Sequence, residues 1–82
     1  MSQKKNPELS AWIEEVRMME SDILFDSDIA AIEHISQDAV RQQRFRGRLP
    51  PPAGLDGDRV YTLKEDYLKV LEKELKTGTY KD

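Results

Sequence analysis

Cysteine is absent from this sequence, and histidine occurs once, as His34. Without cysteine, disulfide bonds and thiolate metal sites are excluded. A single histidine with no cluster of carboxylates around it does not make a zinc site, so we expect neither a metal nor another cofactor. A nucleophile–base set that could serve catalysis is also missing, and we therefore do not expect an enzyme.

Long hydrophobic runs are missing too, since the longest comprise three or four residues, as in Ile23–Phe25 and Ile29–Ile32. Such runs fit neither a membrane span nor the core of a signal peptide, so we expect a soluble, cytoplasmic protein with no membrane partner. The 82 residues suffice for one domain. Its core is expected to be thin, because a chain of this size buries only about 60% of its unfolded surface.

The sequence has no excess of positive charge, because 13 Lys and Arg stand against 16 Asp and Glu, a net charge of −3. This argues against a general nucleic-acid coat protein, which would be basic throughout. The surplus of acid lies in residues 1–26, however, whereas four arginines fall between Arg41 and Arg48. A local basic patch remains, and its arginines are suited to planar, bidentate contact with phosphate.

An amphipathic helix is predicted near the N-terminus. Asn6 and Pro7 suit its N-cap and first helical position, and we expect it to end near Ser21. Its apolar positions recur with helical spacing: Leu9, Trp12, Ile13, Val16 and Met19. A stripe of this width must be covered by the rest of the domain or by a second copy of the chain, and we favour the former.

Two short helices are predicted to follow, after a connector or short extended segment at Ile23–Phe25. Ser27 suits the N-cap of a helix ending near Glu33, and Ser36 suits the N-cap of a helix over residues 37–46. Gly47 closes the second of these because glycine tolerates a positive φ. Since only a few residues separate the two helices, the arrangement indicates a helix-turn-helix.

A β-hairpin and a last helix complete the pattern. Pro50–Pro52 cannot be helical because proline lacks an N–H donor, and Asp56–Asp58 is typical of a hairpin tip with a strand after it. Thr62 and Glu65 fit a capping box at the start of a helix that runs to about Lys76.

The predicted fold class is therefore mostly α: a winged helix-turn-helix with a small β-hairpin wing and an additional N-terminal helix. Residues 1–26 are assigned to a tail and the N-terminal amphipathic helix, residues 27–77 to the winged helix-turn-helix domain, and residues 78–82 to a second tail.

Several short motifs occur in a fixed order along this domain: Ile29-Ala30, Ile35-Ser36, Val40, Gly47–Pro52, Asp56–Tyr61 and Leu63–Glu65. In this order they resemble the excisionase and AlpA-type regulator family, winged-helix relatives of the MerR DNA-binding domain. The family usually has Gly at the position of His34. It also has an aromatic near Gln43 that packs the recognition helix onto the core, and Phe45 is the nearest aromatic here.

The resemblance implies a sequence-specific DNA-binding protein, a phage or mobile-element excisionase or transcriptional regulator that is nucleoid-associated when bound. One group of residues, at the start of the recognition helix, would lie in the major groove and contact base edges: Gln37, Asp38, Arg41 and Gln42. Ser36, the N-cap of this helix, is counted with them as a DNA-binding residue. A second group would contact phosphates: Arg44, Arg46 and Arg48. Arg59, beside the wing tip, would enter the minor groove.

Each of these assignments has an alternative. The first group could be an ordinary polar helix face, the second could pair with Glu14 or Glu15, and Arg59 could be a solvated hairpin residue. The expected partner is double-stranded DNA, with a second copy of the chain or a recombinase beside it, because one small module contacts few base pairs. Two further classes stay open: a protein-binding adaptor that reuses the fold without DNA, and a terminase-like packaging subunit.

Overall fold

The computed structural model describes residues 8–77 of the chain. In chain order, this part contains the helices and strands α1 (Leu9–Met18), β1 (Ile23–Phe25), α2 (Asp26–Glu33), α3 (Gln37–Phe45), β2 (Gly54–Asp56), β3 (Arg59–Leu63) and α4 (Lys64–Thr77). The protein is thus small and mostly helical, with a three-stranded antiparallel sheet. Helix α1 begins later than predicted, because its N-cap is Glu8 and its first helical residue is Leu9, not Asn6 and Pro7. Asn6, Pro7 and the tail from Gly78 themselves lie outside the described residues.

Helix α1 packs against α4 and turns its apolar stripe into the core of its own chain. The buried positions on this face are Leu9, Trp12, Ile13 and Val16. An ion pair between Arg17 and Glu72, 2.7 Å long, joins the same two helices at the surface. The prediction that the rest of the domain covers the stripe is confirmed. The helix ends earlier than the predicted Ser21, because Met19 is already extended.

The sheet has the strand order β1-β3-β2, so β3 is its central strand. Leu24 of β1 stands opposite Thr62 of β3, and both are fully buried. The segment predicted as a connector or short extended stretch is therefore an edge strand. A run of three residues shows no period by itself, and pairing with β3, far along the chain, is what makes it a strand.

The hairpin between β2 and β3 closes with the two residues Gly57 and Asp58, since Asp56 pairs directly with Arg59. Gly57 has a φ of +69° and Asp58 has no positive φ, which is the pattern of a type II′ turn. Such turns match the right-handed twist of antiparallel strands, and glycine takes their first central position without steric cost. The hairpin predicted from these residues is confirmed.

Helix α2 is capped differently from the prediction. The backbone N–H of Phe25 donates to the Asp28 carboxylate at 2.9 Å, and Ser27 lies inside the first turn instead of before it. At its other end, His34 adopts the left-handed conformation, with φ 60° and ψ 43°. This is the region that glycine enters without penalty and that other L-residues enter at a cost.

The junction between β3 and α4 also differs from the prediction of a capping box at Thr62. The strand continues through Leu63, and Thr62 is buried inside it. Its hydroxyl accepts a hydrogen bond from Arg44 at 2.6 Å. The Lys64 N–H that opens α4 donates instead to the Asp22 carbonyl at 2.9 Å, which ties the helix to the loop before β1.

The hydrophobic core lies where the four helices meet one face of the sheet. Its members come from all four helices, from β1 and from the segment after α3: Leu9, Trp12, Ile13, Val16, Leu24, Ile29, Ala30, Ile32, Val40, Leu49, Tyr67 and Leu71. Among residues 8–77, none of the helices has both the length and the apolar character needed to cross a bilayer.

Candidate nucleic-acid interface

Helix α3 is held to the core by one face and presents the other to solvent. The Ser36 hydroxyl accepts from the Ala39 N–H at 3.0 Å, which confirms Ser36 as the N-cap. Val40 is fully buried, and Gly47, with a φ of +92°, follows the end of the helix as predicted. The solvent side carries four of the residues predicted to contact base edges: Gln37, Asp38, Arg41 and Gln42.

On this solvent side, Arg41 pairs with Asp38 one turn earlier, at 2.5 Å. Both side chains are well exposed, 69% for Arg41 and 78% for Asp38. A pair this exposed is screened by water and salt and contributes little, about 0–1 kcal/mol. Arg41 can therefore leave Asp38 for another acceptor at small cost.

Arg44, predicted to contact phosphate, instead points into the protein. Its guanidinium pairs with Asp26 at the start of α2, at 2.7 Å, and donates to Thr62 of β3 at 2.6 Å. Its Nε donates to the Pro50 carbonyl at 3.3 Å. Only 11% of the side chain is exposed, so Arg44 serves to fasten α3 to α2, the sheet and the proline segment. The expectation of a phosphate contact is corrected accordingly.

Arg48, the second predicted phosphate contact, is buried more deeply, with 2% of its side chain exposed. It pairs with Glu33 of α2 at 2.9 Å and with Glu74 of α4 at 2.8 Å, and it also donates to Gln43. The Tyr67 hydroxyl donates a hydrogen bond to the Glu33 carboxylate. We call these residues the buried ion cluster. Because Arg48 is buried in it, the prediction that Arg48 contacts phosphate is wrong. The alternative partners Glu14 and Glu15 are also wrong, since the paired carboxylates are those of Glu33 and Glu74.

The protonation states of the buried ion cluster follow from this packing. Burial lowers the pKa of Arg48, but the hydrogen bonds and charges of Glu74 and Glu33 outweigh that effect and raise it above its ordinary value. Burial raises the pKa of the Tyr67 hydroxyl, and the adjacent Glu33 carboxylate raises it further. At neutral pH Arg48 is therefore charged, and the Tyr67 hydroxyl keeps its proton and acts as a hydrogen-bond donor.

Arg59 stands on the hairpin in an ordered position. Its guanidinium carbon lies 3.8 Å from the centroid of the Phe25 ring, a cation–π contact. Its Nη2 donates to the Ser27 hydroxyl at 3.2 Å, which explains what Ser27 does in place of capping α2. Arg59 remains exposed beyond these contacts, so its remaining donors can reach an external acceptor.

A cavity of about 310 Å³ brings α3 and the hairpin together. Gln37 and Arg41 line it from α3, Ser27 from the start of α2, and Asp58 and Arg59 from the hairpin. Three of the predicted site residues, Gln37 and Arg41 of α3 and Arg59 of the hairpin, thus share one concave surface, although the helix and the hairpin are separate segments of the chain. We call this the helix–hairpin cavity.

Two exposed residues at the end of α3 complete this side of the molecule. Arg46 is exposed, as predicted, and follows the last helical residue. Phe45, the aromatic nearest to the position at which the resembled family packs one onto the core, is 92% exposed. Helical spacing could have revealed this, since Phe45 lies four residues after Arg41 and five after the buried Val40.

The exposed charges on α3, Arg46 and the hairpin balance. The arginines are Arg41, Arg46 and Arg59; the aspartates are Asp38, Asp56 and Asp58. With Arg44 and Arg48 engaged inside the protein, the basic patch is smaller than the sequence suggests.

No protein-family model matches the chain, and neither does a curated protein or a solved structure.

Proposed function

We propose that this protein is a winged helix-turn-helix that binds double-stranded DNA in a sequence-specific manner. In this proposal α3 enters the major groove, and the β2–β3 hairpin is the wing on the adjacent minor groove. The observation that carries it is the helix–hairpin cavity, in which Arg41 of α3 and Arg59 of the hairpin line one surface. A duplex that reaches one of these arginines is within reach of the other.

The solvent side of α3 has the chemistry that base reading needs. Gln37, Arg41 and Gln42 are exposed, and Gln and Arg side chains form the bidentate pairs with adenine and guanine. The major groove is about 12 Å wide, which admits one α-helix. The weak, exposed Arg41–Asp38 pair frees Arg41 for a base at little cost and leaves Asp38 as an acceptor for cytosine.

Contacts with the duplex outside the major groove come from the arginines that remain exposed: Arg59 on the wing would enter the minor groove, and Arg46 would contact phosphate. Arg59 is held by Phe25 and Ser27 before any ligand arrives, so less side-chain freedom is lost on binding than for an unrestrained arginine. Arg46, at the far end of α3, would meet the backbone where the helix leaves the groove.

A module this small contacts few base pairs, so we further propose that copies of it act as a dimer or an array on DNA. The resemblance to the excisionase and AlpA-type regulator family suggests the role of this DNA binding. The protein would be an excisionase that works beside a recombinase, or a transcriptional regulator, of a phage or mobile element.

The test is a salt titration of affinity for a random duplex and for duplexes selected from a random library. Each neutralised phosphate contributes about −0.9 to the slope of log K against log salt. We expect Arg46→Ala and Arg59→Ala each to reduce the steepness of the slope by about one. Arg17→Ala is the matched control: its arginine is also exposed, but it lies on α1, where it pairs with Glu72 of α4. Equal slopes for all these variants, or no duplex binding at low salt, would refute the proposal.

A second candidate is a protein-binding adaptor that uses the same fold without DNA. The specific observation in its favour is the balance of exposed arginines and aspartates on α3 and the hairpin. A DNA-binding face usually carries net positive charge. Absence of duplex binding at low salt by a protein that melts cooperatively would select this candidate.

A further inference from the structure

The exposed side of α3 ends in an aromatic ring that has no part in the base and phosphate contacts proposed for the arginines and glutamines. Phe45 is 92% exposed and lines an open depression of about 440 Å³ together with Asp38, Arg41 and Gln42. These positions are spaced i, i+3, i+4 and i+7, so they form one stripe along the helix. The stripe is polar except for its last member.

We infer that Phe45 contacts the 5-methyl group of a thymine in the major groove and so adds a thymine to the sequence this protein prefers. The inference rests on the proposed DNA binding, because it uses the same face of α3. Thymine is the base that presents an apolar group in the major groove, and phenylalanine is among the side chains that contact it.

The spacing along α3 sets where this thymine would lie. Phe45 is four residues beyond Arg41, roughly 6 Å along the helix axis at 1.5 Å per residue. That length corresponds to about two base-pair steps of 3.4 Å. The thymine is therefore expected about two base pairs from the base that Arg41 contacts, on the side of the C-terminal end of α3.

The neighbours of Phe45 favour DNA over a protein as the occupant of this surface. A protein interface has an apolar core depleted in charge, formed by several residues. Here one ring stands beside a guanidinium, an amide and a carboxylate, and the other large exposed apolar side chains lie on other elements, for example Met18 on α1 and Leu55 on β2. On the protein, the Phe45 ring is a single apolar group surrounded by hydrogen-bonding side chains. In the major groove, the thymine methyl is likewise a single apolar group surrounded by hydrogen-bond donors and acceptors of the bases, so the two surfaces are complementary.

The experiment has two stages. First, binding sites are selected from a random duplex library with the wild type, Phe45→Ala and, as a matched control, Met18→Ala, which removes another exposed apolar side chain (76%) outside α3. We expect Phe45→Ala to lose the preference for thymine at one position and to keep the other positions. Met18→Ala should select the wild-type site.

Second, each thymine of the selected site is replaced by deoxyuridine, which removes only the methyl group. For the wild type we expect affinity to fall about fourfold at that one position, the factor that corresponds to about 0.8 kcal/mol for one buried methylene-sized group. Phe45→Ala should be insensitive to the replacement. Because the ring is exposed, this variant should melt like the wild type, which thermal denaturation checks.

The outcomes separate the two proposals. If the wild type selects a site but responds to no methyl removal, or Phe45→Ala keeps the wild-type preference and response, this inference is wrong and DNA binding stands. A uniform loss of affinity for all sequences in Phe45→Ala also overturns it, because the ring would then contact the backbone. Failure of the wild type to bind any duplex overturns the proposed function, and this inference with it.

Discussion

Replacing Arg48 with alanine removes the cation that joins two carboxylates in the buried ion cluster. Glu33 and Glu74 lose hydrogen bonds of 2.8 to 3.0 Å from its guanidinium, and Gln43 loses another. Both carboxylates stay at the junction of α2, α4 and the segment after α3, with 9% or less of either side chain exposed. The variant therefore keeps two like charges inside the protein without their counter-ion.

The cost of this change is a large share of the total stability. Breaking a buried ion pair by removing one partner costs about 3–5 kcal/mol. At roughly 0.05–0.15 kcal/mol per residue, the 82 residues provide about 4–12 kcal/mol in all. Arg41→Ala is the matched control from the same arginine cluster. Its pair with Asp38 is exposed, and such helical pairs contribute about 0.2–0.5 kcal/mol.

Urea denaturation of the wild type and both variants measures the difference, with fluorescence of the buried Trp12 as the signal. We expect Arg48→Ala to lose at least 3 kcal/mol, roughly the lower bound for a broken buried pair, or to be unfolded without urea. Arg41→Ala should remain near the wild type. If the two variants are destabilised equally, by about 1 kcal/mol or less as for exposed pairs, Arg48 is not buried between the two glutamates and the reasoning fails.

Two further predictions concern single side chains. Tyr67→Phe should lower the free energy of unfolding at pH 7 by roughly 1–2 kcal/mol, because Glu33 loses a donor. Since the folded state raises the pKa of Tyr67, the unfolded chain releases that proton first above pH ~10, and wild-type stability falls there by up to about 1.4 kcal/mol per pH unit. Urea titrations between pH 7 and 11 should show the gap between the two proteins closing above pH 10, and a constant gap would contradict this assignment. His34→Gly should raise the free energy of unfolding by up to about 1 kcal/mol, and with it the melting temperature, because glycine adopts the left-handed conformation without strain. A lower melting temperature would show that the contacts of the imidazole stabilise the fold by more than the strain destabilises it.

Local rules of the sequence were sufficient wherever an element depends on neighbours in the chain. The apolar spacing from Leu9 to Val16 predicted α1 and its buried face, and Ser36 and Gly47 predicted the ends of α3. The same holds for Gly57 at the tip of the hairpin. In each case the hydrogen bond or the backbone angle involves residues at most a few positions apart, so the pattern carries the information.

Capping in the first turn was harder to predict because several polar residues compete for the same role. Ser27 and Thr62 both have the chemistry of an N-cap, yet Asp28 caps α2 and Thr62 lies in β3. The position at which the preceding strand ends determines which residue caps the helix. That depends on the pairing of β1 with β3, which joins segments far apart in the chain.

The arginines show most plainly what only the tertiary structure decided. The sequence by itself determined a run of arginines within and just after a capped helix, with Arg41 assigned to base edges and Arg44, Arg46 and Arg48 all available to phosphate. Folding divides them, because Asp26, Glu33 and Glu74 reach this region from α2 and α4 and take Arg44 and Arg48 into the interior. It also brings Arg59, far along the chain, into the cavity that Arg41 lines. Charge acts through space, and which charges become neighbours depends on long-range packing that no local spacing encodes.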